Sequence, residues 1–386
     1  MIIDCDSHIT PRDAFDYMDG ETAHQRPAMR FSAEGHHIET EFPKQPSEVP
    51  GTTPSPAVGS SGANYDGMYD IRARVRDLET MGVDRQVLIP QFSPWYWSYL
   101  IEPGLGTAIA HSYNLSVLKI LREYPGKFLA AALVALQDLP GSIREMAWAL
   151  ENGFKTVVLD ETYPVREHPY GEALGTREEI WPFFAKAEEF GAPIFLHRVQ
   201  HGHRILNVPK FLKFGMDFFA PDDGQMTVVS LVTSGLFDAF PRLQVVHTET
   251  GTAWIKPMVE KLDASFAHPP VNYIDDNPLP RSRRKLPARA KKLIPQELAE
   301  ERNKLPPSHY FRNNLFFTIE TEEPELTDAV EYLGADRFLF ATDYPHDDPG
   351  GRMKYRDVEI FNLQRKFSES DKEKIRWKNA AGLFNL

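Results

Sequence analysis

One cysteine, Cys5, occurs among 386 residues. No internal disulfide can form, and a lone thiol fits a reducing compartment. Basic side chains are in the minority, 43 against 55 acidic ones, for a net charge of −12. A phosphate backbone or an anionic bilayer is held by clustered Lys and Arg, so nucleic acid and membrane surfaces are set aside as main partners. The local exception, RSRRKLPARAKK from Arg281 to Lys292, reads as a solvated arm or a subunit contact. No apolar run reaches the roughly eighteen residues that cross a bilayer. The opening MIIDCDSH is acidic where a signal peptide carries positive charge. A cytoplasmic protein is the expectation.

What the sequence does have is an ordinary globular composition, 42% hydrophobic and 25% charged. Short apolar runs recur at Met1–Cys5, Gln86–Pro90, Phe128–Leu133, Lys155–Leu159, Pro193–Leu196, Leu243–Val246, Leu315–Ile319 and Phe338–Ala341. Between them, Ile71–Met81, Gly106–Glu123, Ser142–Asn152, Glu178–Phe190 and Met226–Phe240 carry helical spacing. Continuous apolar runs suit strands buried on both faces, and their alternation with helices implies parallel βαβ units. Eight such units predict a distorted (β/α)8 TIM barrel, one domain spanning residues 1–386. The long irregular segments follow strands, so they gather at the C-terminal face where barrel enzymes place their chemistry. Residues 11–70, rich in Pro, Gly and Ser from Lys44 to Gly62, read as a cover over the mouth, and 265–314 as an arm.

Four polar residues stand at predicted strand ends: Asp6 and His8 on the first strand, His197 on the fifth and Asp343 on the eighth. Asp6 and His8 share a strand face because alternate side chains point the same way. Two imidazoles and two carboxylates at one rim match the ligand set of Zn²⁺, Fe²⁺ or Mn²⁺. Any one of them alone would read as a polar strand terminus; the case rests on their convergence. On the sixth strand, His247 and Glu249 have equal parity, with Glu249 nearer the rim; either could serve as general base or further ligand, and a hydrogen-bonded core histidine explains His247 equally well. Asp160 and Glu161 end the fourth strand, as donors to a second metal (with Glu249) or as helix caps. Cys5, of opposite parity to Asp6, is expected to pack outward. His201, His203 and His346 fit support of the metal ligands, substrate contacts or, equally, plain surface positions. Phe92, Trp95, Tyr96, Trp97 and Tyr99 fit an apolar pocket for an organic acid or a dimer interface, and Trp95, Trp97, His201 and His346 are taken as the substrate-binding candidates.

The segments IIDCDSHIT, GAPIFLH, VVHTETGTAWI, PSHYFRNNLFFTIE, FLFATDYPHDD and WKNAAGLFNL resemble, in this order and nearly end to end, the amidohydrolase-related metal-dependent family. Its best-known members are decarboxylases of aminocarboxymuconate semialdehyde and of hydroxybenzoates. The resemblance implies a distorted barrel with one divalent metal, zinc first, then manganese or iron, and frequently a homodimer. It carries metal binding to Asp6, His8, His197 and Asp343. The decarboxylases have a catalytic His after strand six, followed by glycines; here Glu249 stands there, with His247 two positions earlier. The reading is a metal-dependent hydrolase or decarboxylase acting on a small organic acid, amide or ester, with Glu249, assisted by His247, moving the proton. A dinuclear iron or iron–manganese oxygenase on the same fold, and a non-catalytic metal-containing subunit of a complex, are the alternatives.

Overall fold

In a computed structural model, which describes residues 1–33, 37–41, 66–91, 103–165, 168–197, 220–267, 303–346 and 356–386, the eight apolar runs become eight strands. They are β1 (Ile3–Ile9), β2 (Arg85–Pro90), β3 (Phe128–Leu133), β4 (Thr156–Leu159), β5 (Ile194–Leu196), β6 (Val245–His247), β7 (Leu315–Thr318) and β8 (Phe338–Leu339). Each pairs in parallel with the next in sequence. The ring closes where Cys5 N donates to Phe340 O at 2.8 Å and Ser7 bridges Tyr344. A right-handed crossover between parallel neighbours requires a long connection, and helices supply it. They are α1 (Ile71–Met81), α2 (Pro103–Glu123), α3 (Leu139–Glu151), α4 (Trp181–Phe190), α5 (Ala220–Thr233) and α6 (Ile255–Ala267), with α7 (Pro307–Asn313) leading into β7. After β7 and β8 come α8 (Leu326–Leu333) and α9 (Asp357–Leu363). The architecture is a distorted (β/α)8 barrel.

The local chemistry of α1 shows why the chain turns where it does. Asp70 caps it, its carboxylate accepting from Arg72 N at 2.8 Å, and Gly82 ends it at φ 76°, a conformation that costs glycine little. Strands β3 and β4 are buried at every position, as continuous apolar runs between a filled barrel and a helical layer should be. Burying each Leu, Val or Phe of this kind contributes about 1.5–3 kcal/mol.

Strands β1 and β8 differ from expectation, and both differences bear on the site. β1 extends to Ile9 rather than stopping at Cys5, so Asp6 and His8 lie inside the strand. Its register with β2 slips between Asp4 and Ser7, three residues advancing against two, a bulge that re-aims the side chains beside it. β8 stops its ladder at Leu339 instead of Ala341. Beyond it the carboxylate of Asp4 takes the place of a strand partner, accepting from Thr342 N at 3.0 Å and Thr342 Oγ1 at 2.6 Å. Two antiparallel hairpins, Ala28–Phe31 with His37–Glu41 and Thr162–Val165 with His168–Ala173, lie outside the barrel. The first belongs to the segment read as a cover. The arm around Arg281–Lys292 and the aromatic run Phe92–Tyr99 lie outside the described residues.

Candidate metal centre

The bulge in β1, the end of β5 and the loop after β8 bring nitrogen and oxygen donors to one point at the C-terminal face. His8 Nε2 lies 3.5 Å from Asp6 Oδ1 and 3.1 Å from Asp343 Oδ1. His197 Nε2 lies 3.7 Å from Asp6 Oδ1 and 3.4 Å from Glu249 Oε2. The His8 and His197 rings meet edge to face at 4.6 Å. Two groups have donor atoms all within 4.8 Å of one another: Asp6, His8 and His197, and His8, Asp343 and His346. The four strand-end residues singled out from the sequence therefore do come together, but as two overlapping groups joined at His8. The overlap at His8 is geometry that one cation can share.

The electrostatics call for that cation. Asp6 has only 2% of its side chain exposed. Burial pushes its carboxyl well above the ordinary range, and the charges of Asp343, Glu249, Asp4 and Glu320 push it further. Burial, and then the neighbouring His346, hold His8 below the usual imidazole value, which keeps it in the neutral form a metal requires. Asp6 Oδ1 and His8 Nε2 are buried and make no hydrogen bond among the described residues. Two such atoms of complementary donor type, side by side, would each cost about 1–3 kcal/mol if nothing satisfied them. A divalent ion satisfies both, and the residues fit one.

The second coordination layer is built mainly from residues that sequence reading did not single out. Asp4, whose carboxyl burial pushes up to about 6, accepts from Thr342, from Gln86 Nε2 at 2.7 Å and from Asp6 N at 3.2 Å. The buried guanidinium of Arg74, on α1, donates to Gln86 Oε1 at 2.7 Å, Ser7 Oγ at 3.2 Å, Gly67 O at 3.0 Å and His8 O. It also sits over the Tyr344 ring at 4.7 Å. Gly67 has to be glycine, since a Cβ there would collide with the Tyr344 hydroxyl. Arg74 thus fastens β1 to the loop carrying Asp343. Arg74→Met would take the donor from all four of its acceptors, and a loss of about 3 kcal/mol in unfolding free energy is expected from denaturant titration. A loss below about 0.5 kcal/mol, the range of ordinary surface changes, would show that the network carries no weight.

Two carboxylates at the mouth, Glu249 at φ 54° and Asp343 at φ 51°, adopt left-handed backbone, which costs a non-glycine residue about 1–3 kcal/mol. Glu249 N is held by Thr318 Oγ1 at 3.2 Å, and Asp343 N donates to Asp6 O at 2.9 Å. The shared face expected for His247 and Glu249 ends with the strand, because β6 stops at His247 and Glu249 turns out of it. Glu249 reaches His197. His247 is buried, with Nε2 3.1 Å from Glu161 Oε1 and Nδ1 2.9 Å from Thr250 Oγ1. Gly224 packs so close to this pair that a Cβ there would collide with Glu161. Asp160 and Glu161 are buried, and among the described residues neither joins a group with metal-binding geometry. His346 is 15% exposed, its Nδ1 2.9 Å from Asp343 Oδ1. Trp95, Trp97, His201 and His203 lie outside the described residues.

With this geometry in hand, the chain compares closely with known proteins. The gamma-resorcylate decarboxylase of Polaromonas sp. is 26% identical over 335 residues, covering 81% of this chain and 86% of the relative. That of Rhodococcus jostii is 26% identical over 345 residues, covering 83% and 88%. Among solved structures, the dihydroxybenzoic acid decarboxylase of Polaromonas sp., with bound manganese and the inhibitor 2-nitroresorcinol, matches at TM-score 0.66 and 18% identity, over 100% of this chain and 97% of that one. The 5-carboxyvanillate decarboxylase of Novosphingobium aromaticivorans, also with bound manganese, matches at TM-score 0.70 and 20% identity, over 100% and 97%. At such identities the structures speak for the fold. A family profile described as amidohydrolase matches residues 3–386, from the strand that carries Asp6 and His8 to the last residue, and the chain belongs to the amidohydrolase family.

Proposed function

We propose that the chain is a metal-dependent carboxy-lyase that removes CO₂ from a small hydroxylated aromatic acid. The observation that carries this reading is the meeting of Asp6 Oδ1 and His8 Nε2, buried and without hydrogen bonds among the described residues, beside His197 and an accessible Glu249. The curated relatives, 26% identical over more than four-fifths of this chain, are decarboxylases of such an acid, which favours decarboxylation over hydrolysis. Asp6, His8, His197 and Asp343 would hold the ion. Zinc suits the two imidazoles, and manganese occupies the two solved relatives named above. When bound, it would fix the carboxylate and an adjacent oxygen of the substrate and draw off negative charge.

The remaining work falls to side chains. Loss of CO₂ from an aromatic ring needs a proton delivered to the ring carbon that bears the carboxylate. The bond to the carboxylate then breaks, and its electron pair returns to the ring. Glu249 is 26% exposed, against 2% for Asp6 and 15% for Asp343, and so stands where a substrate can reach it. Delivery of that proton by Glu249 fits this position. His247, bound on both nitrogens within the protein, supports the strand end rather than the reaction.

Purified protein should contain close to one zinc or manganese per chain by elemental analysis, and should release CO₂ from at least one member of a panel of ortho-hydroxybenzoates. Stripping the metal should stop that release, and adding it back should restore it. A fully metal-loaded preparation that leaves every member of the panel intact would overturn the carboxy-lyase assignment. Two iron equivalents with oxygen-dependent turnover would replace it with the oxygenase alternative.

A further inference from the structure

Gln91 is the first residue beyond β2 and is 5% exposed. Its backbone N donates to Ile9 O at 3.0 Å, so its place is set by the end of β1. Its Oε1 lies 2.8 Å from His346 Nε2. The opposite nitrogen of that ring, Nδ1, lies 2.9 Å from Asp343 Oδ1. The ring also stacks on His8, with centroids 4.4 Å apart and planes 14° from parallel. Amide, imidazole and carboxylate form a continuous chain from the end of β2 to the loop after β8, leaning along its length on a second imidazole.

We infer that Gln91 and His346 are positioning residues for the metal centre, holding the Asp343 carboxylate and the His8 ring in their binding orientation. The inference rests on reading Asp343 as a ligand. His346 falls in a group with donor geometry, yet both its nitrogens lie at hydrogen-bond distance from protein atoms, which suits a support rather than a ligand. Asp343 needs support. It sits on left-handed backbone in a loop that β8 has already left, and it is 15% exposed where His8 is 2% exposed. A carboxylate free to rotate loses that freedom on binding an ion; one already held against an imidazole loses less. A primary amide suits the far end, because it can accept from or donate to the ring and so accommodates either tautomer. Stacking adds a second restraint, fixing the plane of His8, whose Nδ1 already lies 3.3 Å from Pro90 O. Gln91 and Pro90 are adjacent, so the end of β2 steadies both His8 and Asp343.

Outer partners of this kind are worth roughly 10–100-fold in metal affinity. Competition of Mn²⁺ between a chromogenic chelator and the full-length protein reads the affinity, and the absorption spectrum of the Co²⁺-loaded protein reads the ligand set. His346→Phe, which keeps a ring against His8 but removes both nitrogens, should weaken Mn²⁺ binding about 10–100-fold with the Co²⁺ bands little changed. Gln91→Leu, which removes the amide from the far end of the ring, should weaken it about 10-fold. Far-UV circular dichroism checks that each variant is folded, and Gln91→Leu stands in should His346→Phe not fold. Parent-like affinity in both His346→Phe and Gln91→Leu, with Asp343→Ala losing the ion, would overturn the positioning role alone. Loss in His346→Phe as deep as in Asp343→Ala, with altered Co²⁺ bands, would make His346 a ligand and overturn it too. Retention of Mn²⁺ by Asp343→Ala would instead bring down the ligand reading beneath it.

Discussion

Replacing His8 with alanine is expected to strip the protein of its metal and its turnover together. His8 is the residue common to both donor groups, its Nε2 3.5 Å from Asp6 Oδ1 and 3.1 Å from Asp343 Oδ1. Without it, an ion would face mainly carboxylates and the single imidazole of His197. The consequence for Asp6 follows from its burial. Burial, and then the negative charge of Asp343, Glu249, Asp4 and Glu320, already raise its affinity for a proton, so a proton competes with the ion for this carboxylate. Outer partners alone are worth 10–100-fold in affinity, so loss of this inner ligand should cost at least about 100-fold. Elemental analysis after gel filtration should find little metal in His8→Ala. A thermal readout checks the same point independently. An ion present at about 100 times its dissociation constant stabilises the folded chain by about 2.7 kcal/mol. A chelator should therefore lower the unfolding midpoint of the parent and leave that of His8→Ala where it is. Full metal occupancy in the variant would end the metal-centre proposal.

The barrel was legible because its strands are buried on both sides. Phe128–Leu133 and Leu315–Phe317 are apolar throughout, and the alternation of such runs with helical spacing leaves few topologies. Asp6, His8, His197 and Asp343 stood out for the complementary reason, polar residues that follow short apolar runs, although β1 in fact runs past Asp6 and His8. Strand parity carried the reading as far as the ladder itself runs. It named Glu249 and His247 but could not foresee the left-handed turn by which Glu249 leaves β6, nor the pairing of His247 with Glu161. The supporting residues Asp4, Arg74 and Gln86 are invisible for another reason: nothing in a helix pattern marks one of several arginines in Ile71–Met81 as fully buried. Gln91 did leave a trace. It follows an apolar run at the same strand-end position as His197, and an amide there would have earned it a place beside the four candidates.

Substituting glutamine for Glu249 should separate proton delivery from metal binding. Oε2 lies 3.4 Å from His197 Nε2, yet Glu249 belongs to neither donor group, so the ion should remain. The backbone around it is held from β7's side: Thr318 Oγ1 accepts from Glu249 N, and the Glu323 carboxylate accepts from Thr252 N and from Ala253 N at 3.1 Å. Glutamine has the shape of glutamate, so this scaffold and the left-handed turn should survive the change. What is lost is the acid. Removing a positioned proton donor typically costs about 10²–10⁴-fold in turnover, and kcat should fall by that order with KM little altered. The same measurement on His247→Asn should show a lower unfolding midpoint, since Glu161 would lose its buried partner, with a much smaller change in kcat per folded molecule. Glu249→Gln that turns over within about threefold of the parent, far short of the 10²-fold minimum, would remove Glu249 from the reaction. Loss of the ion in Glu249→Gln to the extent expected for His8→Ala would make it a ligand, and the proton would have to come from another group at the mouth.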